Sequence, residues 1–276
     1  MNFGAALAAA SGRIDPREAK LLLREASGAS AAAVAAFPER ELGADAAAKY
    51  FDWLTRRELG EPIAYLVGWR EFFSRRFEVG PGVLIPRPET ELLVEAVLDR
   101  IARATSRVLD LGTGSGAIAI TIACEAPQAE VWAVDASDAA LAIAQRNAAA
   151  LGARVQFAKS DWFSALADQH FNVLVSNPPY IADRDPHLEQ GDLRSEPRSA
   201  LASGQDGLDD IRRIILSAPS HLRPDGWLLF EHGYDQAAAV RELIDAAGFV
   251  DVASLRDLAG IERVSLGRWC SEKPVV

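Results

Sequence analysis

The stretch Arg107-Val108-Leu109-Asp110-Leu111-Gly112-Thr113-Gly114-Ser115-Gly116 decides the fold. Its first half is a short apolar run of the kind buried inside a parallel sheet, and three glycines follow on alternate positions. The next residues, Ala117 to Ala126, read as a helix. Glycines at such a strand-to-helix turn let the backbone bend tightly and approach a ligand closely. The spacing is not Gly-x-Gly-x-x-Gly, and no Lys-Ser or Lys-Thr follows, which argues against a nucleoside-triphosphate loop. Asp110 precedes the first glycine by two positions, awkward beside a pyrophosphate but suited to a ligand with an amino group.

Beyond this turn, strands and helices alternate. Strands are expected at Glu130 to Val134, Val155 to Phe157, Phe171 to Ser176, Trp227 to Glu231 and Val264 to Leu266. Helices are expected at Ser137 to Leu151, Gly207 to Leu222 and Tyr234 to Ala247. The alternation predicts a mostly parallel sheet with helices on both faces, and such sheets bind ligands at the carboxyl ends of their strands. Asp135 ends the second strand, 19 residues after Gly116. A carboxylate there can accept both hydroxyls of a ribose, or it can cap the helix that follows. At the end of the third strand Asp161 can accept from an adenine amino group and Trp162 can cover the ring, with a capping turn as the alternative.

The fourth strand ends in Asn177-Pro178-Pro179-Tyr180. The prolines fix φ and remove two backbone donors, so the strand must stop and its end is stiff. Pro178 biases Asn177 toward an extended backbone. A side-chain amide, a rigid carbonyl and an aromatic ring then stand together, which suits a planar amide or amine. Alone, the element reads equally well as a Pro-Pro turn with a capping Asn.

Toward the amino terminus the pattern is helical. Asp15-Pro16 starts a helix that Gly28 ends, Ala31 to Phe37 forms a further turn before Pro38, and Ala46 to Leu59 forms a helix stopped by Gly60. Trp69 to Phe73 and Val83 to Ile85 read as short strands around Gly80-Pro81-Gly82, a hairpin. Pro86-Arg87-Pro88-Glu89-Thr90-Glu91 is ordinary helix-start chemistry, but that leaves Arg87 without a role. The expected organisation is a small helical domain over 1–68, a hairpin linker over 69–86 and an α/β domain over 87–276.

With 276 residues and a formal net charge of −10, the chain suits two domains. Residues 1–75 carry 10 basic and 10 acidic side chains, so the negative excess lies in the second part. That argues against a non-specific grip on nucleic acid. Cys124 and Cys270 have no metal-like or redox-like spacing, and no run approaches the ~18 apolar residues of a membrane span. The histidines form no ligand-like pair, so no metal is assigned. The first basic residue, Arg13, follows the first apolar stretch, unlike a secretory signal. A cytoplasmic, reduced protein is expected.

Asp110-x-Gly-x-Gly-x-Gly116, Asp135 and Asn177-Pro-Pro-Tyr180 together resemble S-adenosylmethionine-dependent methyltransferases that act on the nitrogens of planar amides or amines. Tyr65-Leu66-Val67-Gly68, Glu71-Phe72, Ile85 to Glu91, Ser176 to Ile181, Glu196-Pro197 and Ala200-Leu201 narrow the resemblance to the peptide chain release factor glutamine methyltransferase family. It implies a Rossmann-like class I methyltransferase domain with a helical substrate-recognition domain. It also implies that Gly112, Thr113, Gly114, Ser115, Gly116, Asp135, Asp161 and Trp162 bind the cofactor, with Asn177 touching both cofactor and substrate. Asn177, Pro178, Pro179 and Tyr180 would clamp the target glutamine, with Arg87 on the substrate side and release factors as partners. The expected reaction puts a sulfonium methyl on an amide nitrogen whose N–H groups are accepted by Asn177 and the Pro178 carbonyl. The alternatives are a ribosomal-protein glutamine, adenine-N6 in DNA, or a cofactor-binding scaffold without turnover.

Overall fold

The structure is a computed structural model and describes residues 1–101 and 106–270. The chain divides into two compact units. One comprises Met1–Trp69 with the short segment Gln190–Ser195, and the other comprises Arg70–Glu189 and the chain from Glu196 onward.

The first unit is helical. Its helices are α1 (Phe3–Ala10), α2 (Pro16–Ser27), α3 (Ala31–Ala36), α4 (Ala44–Glu58) and α5 (Ile63–Val67). Asp15 caps α2 by accepting from the Arg17 N–H, Pro16 sits at its first position, and Gly28 ends it in the left-handed conformation. Leu22 and Leu23 of α2 and Tyr50 and Leu54 of α4 are fully buried against each other and their neighbours. Each such leucine contributes ~1.5–3 kcal/mol. The Gln190–Ser195 segment is fastened to the same helices. Arg57 donates to Asp192 at 2.7 Å and to Glu18 at 2.7 Å, while Arg194 donates to the Leu59 carbonyl at 3.0 Å. Gly60 has φ +95°, a conformation that residues with a side chain rarely adopt, and the tip of the Arg194 guanidinium lies over it.

A hairpin follows, β1 (Trp69–Phe72) and β2 (Arg75–Glu78), and from Arg70 onward it belongs to the second unit. The expected strand over Val83 to Ile85 is absent, and the hairpin turns at Phe73-Ser74 instead of Gly80-Pro81-Gly82. Both turn residues have positive φ (50° and 59°), the signature of a type I′ turn. Such a turn usually carries Gly or Asn, which is why it went unseen; here Glu91 accepts from the Phe73 N–H at 2.8 Å and holds it. Ile85 needs no strand partner because its N–H donates to the Glu196 carboxylate at 2.9 Å.

After α6 (Glu91–Ile101), the main sheet holds β3 (Arg107–Leu111), β4 (Glu130–Asp135), β5 (Val155–Lys159), β6 (Phe171–Ser176), β7 (Leu222–Glu231), β8 (Val250–Arg256) and β9 (Glu262–Arg268). The order is β5-β4-β3-β6-β7-β9-β8, and β9 is antiparallel to both its neighbours. Helices α7 (Ala117–Glu125), α8 (Asp138–Leu151), α9 (Asp209–Ser217) and α10 (Ala237–Ala246) complete the two layers. The sheet is the expected Rossmann-like one, parallel through β5 to β7 with one antiparallel outer strand pair. Strand residues alternate between the layers: Val173 and Val175 join one core, Leu174 the other. The helix expected over Gly207 to Leu222 is shorter. It ends at Ser217, Pro219 lies in a 3₁₀ turn, and Leu222 already starts β7. Strand β8, an outer strand with exposed polar residues, was not expected.

This order reverses direction between β3 and β6. Chain connections run outward through β4 and β5 on one side and through β7 on the other, leaving a crevice at the carboxyl ends.

Candidate active site

A cavity of about 480 Å³ opens in that crevice, within the range of small-molecule sites. Its wall includes Gly112, Thr113, Gly114 and Ser115 after β3, Asp135 as the last residue of β4, Asp161 and Trp162 after β5, and Asn177 and Pro179 after β6. Gly116, Arg87, Pro178 and Tyr180 do not line it.

The glycine turn is held from beneath and from the side. Gly112, Gly114 and Gly116 all have positive φ. Beneath them, Asp110 is fully buried and accepts from the Thr113 hydroxyl at 2.6 Å and the Ala119 N–H at 3.3 Å. Burial pushes its carboxyl up to about 7, and the nearby Asp135 charge adds to the rise. Asp110 therefore supports the loop and does not reach the cavity. From the side, Asp135 accepts from the Gly114 N–H and the Ser137 N–H, both at 2.9 Å. Ser137, not Asp135, caps α8. Each Asp135 oxygen has capacity for a further donor, as a ribose acceptor requires. Gly116 has a packing role: a Cβ there would lie 2.6 Å from Ile120 and 3.1 Å from Ala144, so glycine lets α7 and α8 approach.

Trp162 stands in the left-handed region at φ 49° and packs its ring on Gly112, where a Cβ would come within 3.3 Å of it. Its indole N–H donates to Asp210 at 3.2 Å, and Asp210 in turn accepts from the Ser203 hydroxyl at 2.8 Å. The ring is thereby fixed as a cavity wall. Asp161 gives its carboxylate to Arg213 at 2.9 Å in an exposed ion pair.

On the opposite side, Asn177 donates from Nδ2 to the Thr90 hydroxyl oxygen at 3.2 Å, while its Oδ1 is buried without a hydrogen-bond partner. A buried, unsatisfied acceptor on a cavity wall is costly unless a ligand supplies the donor. Tyr180 turns its hydroxyl away to Glu231, donating at 3.3 Å, and its carbonyl accepts from Gln236 at 2.9 Å. Arg87 forms an ion pair with the buried Glu196 carboxylate. It thus locks the loop before α6 onto the segment that continues into the cavity wall at Pro197. Thr90, Glu231 and Gln236 were missed from sequence. An acid closing the apolar strand Trp227 to Phe230 at its carboxyl end was the available signal for Glu231.

The donor set fits S-adenosylmethionine: bare backbone at the glycines, a carboxylate with spare acceptor capacity, an aromatic wall and an acceptor oxygen in reach of a second ligand. Among the described residues no group of His, Cys, Asp and Glu has the arrangement of a metal site, and no helix is long and apolar enough to cross a membrane.

The sequence matches two family models, "Methyltransferase small domain" over residues 88–193 and "PrmC N-terminal domain" over residues 2–68. It is 54% identical to a Burkholderia pseudomallei protein named "Release factor glutamine methyltransferase", over 92% of each chain. A Pseudomonas aeruginosa protein of the same name is 52% identical, covering 94% of this chain and 93% of its own. Among solved structures, a methyltransferase from Pyrococcus furiosus superposes with a TM-score of 0.55 at 19% identity, over 79% of this chain and 97% of that one.

Proposed function

The chain belongs to the release factor glutamine methyltransferase family, and on that premise we propose that it methylates the side-chain amide nitrogen of the glutamine in the Gly-Gly-Gln tripeptide of peptide chain release factors. Gly112 to Ser115, Asp135, Asp161 and Trp162 hold S-adenosylmethionine, with Gly116 acting indirectly by seating α7. Bound there, the cofactor supplies an activated sulfonium methyl group.

The observation that carries this reading is the buried, unpartnered Oδ1 of Asn177. An amide nitrogen is a poor nucleophile because its lone pair is delocalised. Asn177 Oδ1 accepts one of its N–H groups, which orients the nitrogen and favours the positive charge it develops; the Pro178 carbonyl, next in the chain but off the cavity wall, is the acceptor proposed for the other. Holding the partners in line can supply ~7–11 kcal/mol. Pro179 of the cavity wall confines the flat amide, Tyr180 holds the element from behind through Glu231 and Gln236, and Arg87 steadies the neighbouring loop through Glu196.

The test is a labelled-cofactor assay on release factor, its Gly-Gly-Gln glutamine→Ala variant, ribosomal protein and DNA. Label is expected in the release factor alone. Equal labelling of the glutamine→Ala variant overturns the assignment. Asn177→Ala should lower kcat by ~10²–10³ with the fold retained, as read by turnover and circular dichroism.

A further inference from the structure

The backbone that follows the Asn-Pro-Pro-Tyr element is fastened to a later stretch of chain. Tyr180 and Ile181 donate their N–H groups to the Leu201 carbonyl at 3.2 and 2.9 Å, and the Ser203 N–H donates to the Ile181 carbonyl at 2.9 Å. Ile181 and Ala202 form a parallel bridge, so residues 201–203 lie alongside 180–181. Ser203 is buried, and its hydroxyl meets Asp210 twice. The hydroxyl oxygen accepts from the Asp210 N–H at 2.8 Å, and the hydroxyl donates to Asp210 Oδ2 at 2.8 Å. The other carboxylate oxygen, Oδ1, accepts from the Trp162 indole at 3.2 Å. An unbroken run of hydrogen bonds thus joins the aromatic wall after β5 to the backbone that follows Asn177 after β6. Asp210, in the first turn of α9, is its middle link.

We propose that Asp210 is a positioning residue that sets the register between the two halves of the site: one carboxylate oxygen holds the Trp162 ring of the cofactor wall, and the other holds Ser203 and, through it, the Asn-Pro-Pro-Tyr element. This rests on the methyl-transfer reading above. In-line transfer needs the sulfonium methyl and the amide nitrogen in close register, and a misplacement of ~1 Å can cost ~10²-fold in rate. In the sheet β5 and β6 are separated by β4 and β3, so the ladder does not pair their ends. Asp210 spans that gap with a single side chain.

Trp162 is the residue that most needs such a restraint. Its φ of 49° is one that residues with a side chain rarely adopt. The Ser160 hydroxyl donates to its carbonyl at 2.7 Å, which holds the backbone, while Asp210 holds the ring. Arg213, one turn further along α9, lies 3.4 Å from Asp210 Oδ1, but its closer partner is Asp161 at 2.9 Å. The link depends on shape more than on charge. An amide in place of the carboxylate can still accept from the indole through its oxygen and donate to the Ser203 oxygen through its NH2 group.

The experiment uses the full chain and reads kcat at saturating cofactor and release factor. It also reads, by calorimetry, the Kd for S-adenosylhomocysteine, the demethylated cofactor. Asp210→Ala should lower kcat on the order of tenfold to a hundredfold, with KM for the release factor little changed. It should weaken S-adenosylhomocysteine by roughly three- to tenfold. Asp210→Asn should stay within roughly threefold of wild type in both; a variant no better than Asp210→Ala overturns the proposal. Trp162→Phe keeps a ring but removes the indole N–H. In that background Asp210→Ala should cost far less than in wild type, because the link is already cut. Equal fold losses in the two backgrounds overturn the proposal. If Asp210→Ala does not fold, Ser203→Ala takes its place in the same cycle, and equal losses again overturn it. Should wild type bind S-adenosylhomocysteine but leave the release factor unlabelled, the methyl-transfer reading fails, and the cycle on Kd alone then decides the role of Asp210. A wild type that binds no S-adenosylhomocysteine overturns both.

Discussion

Gly207 has φ +76°, and a Cβ built on it would lie 2.2 Å from the Tyr180 carbonyl oxygen. That oxygen is also the acceptor for Gln236 at 2.9 Å, so the backbone of the Asn-Pro-Pro-Tyr element is gripped from two directions. Gly207→Ala cannot be absorbed by a side-chain rotation, because the atom in the way is backbone. It should cost ~1–2 kcal/mol for the left-handed alanine alone and displace Tyr180 as well. The expected outcome is a clear drop in kcat with a lower unfolding midpoint, read from turnover and thermal denaturation; unchanged kcat would show that the Tyr180 backbone position is immaterial. At this scale the legible residues were those whose chemistry is local. Asp135 and Asn177 each stand at a strand end, Asn177 before two prolines and Asp135 where the next helix starts, so their exposure to a ligand follows from spacing. Thr90 and Glu231 were illegible because their meaning depends on contact across the chain: Thr90 meets Asn177 at a separation of 87 positions.

Arg57, near the end of α4, bridges two elements and one irregular segment. Its guanidinium donates to both Glu18 oxygens on α2, at 2.7 and 2.8 Å, and to Asp192 at 2.7 Å. It is one-fifth exposed, and these donors to carboxylate raise its pKa further above an already high value. Arg57→Ala leaves partly buried carboxylates without a partner, which should cost ~1–3 kcal/mol. For a chain of this size that is a fall of several degrees in unfolding midpoint, about 2–4 °C for each kcal/mol. Arg57→Lys should recover only part, because one ammonium does not reproduce the planar fork; full recovery in thermal denaturation would reduce the bridge to a simple charge effect. Helices such as α2 were legible because Asp15, Pro16 and Gly28 mark both ends. The hairpin turn was not, since Phe73-Ser74 lacks turn chemistry and depends on Glu91 for support.

At the scale of the molecule, the buried Asp110, Glu231 and His232 set opposing pH dependences. Burial raises the carboxyls of Asp110 and Glu231 to about 7, so each binds a proton in the folded chain at a pH where it is ionised in the unfolded one. Their contribution is complete below the ordinary carboxylate range and is lost as pH rises through about 7. Burial lowers the pKa of His232, whose contribution is complete above the unfolded value of ~6.5 and is lost as pH falls from there through the lower folded value. Two carboxyls against one imidazole predict a ligand-free unfolding free energy higher near pH ~5.5 than near pH ~8, by on the order of 1 kcal/mol or more for each acid. Asp110→Asn should flatten part of that slope in denaturation measured across the range; an unaltered slope would remove Asp110 as a cause. Strand alternation made the parallel sheet legible, whereas strand β8 and the Gln190–Ser195 excursion carry no periodic signature. That excursion has a consequence for how such proteins diversify. Arg57 and Asp192, 135 positions apart, share one bond, and Arg194 lays its guanidinium over Gly60, whose φ of +95° favours glycine. The helical unit is therefore no cassette that one crossover can transplant between relatives. A chimera joined near residue 69 inherits half a lock, and these four positions should change in concert.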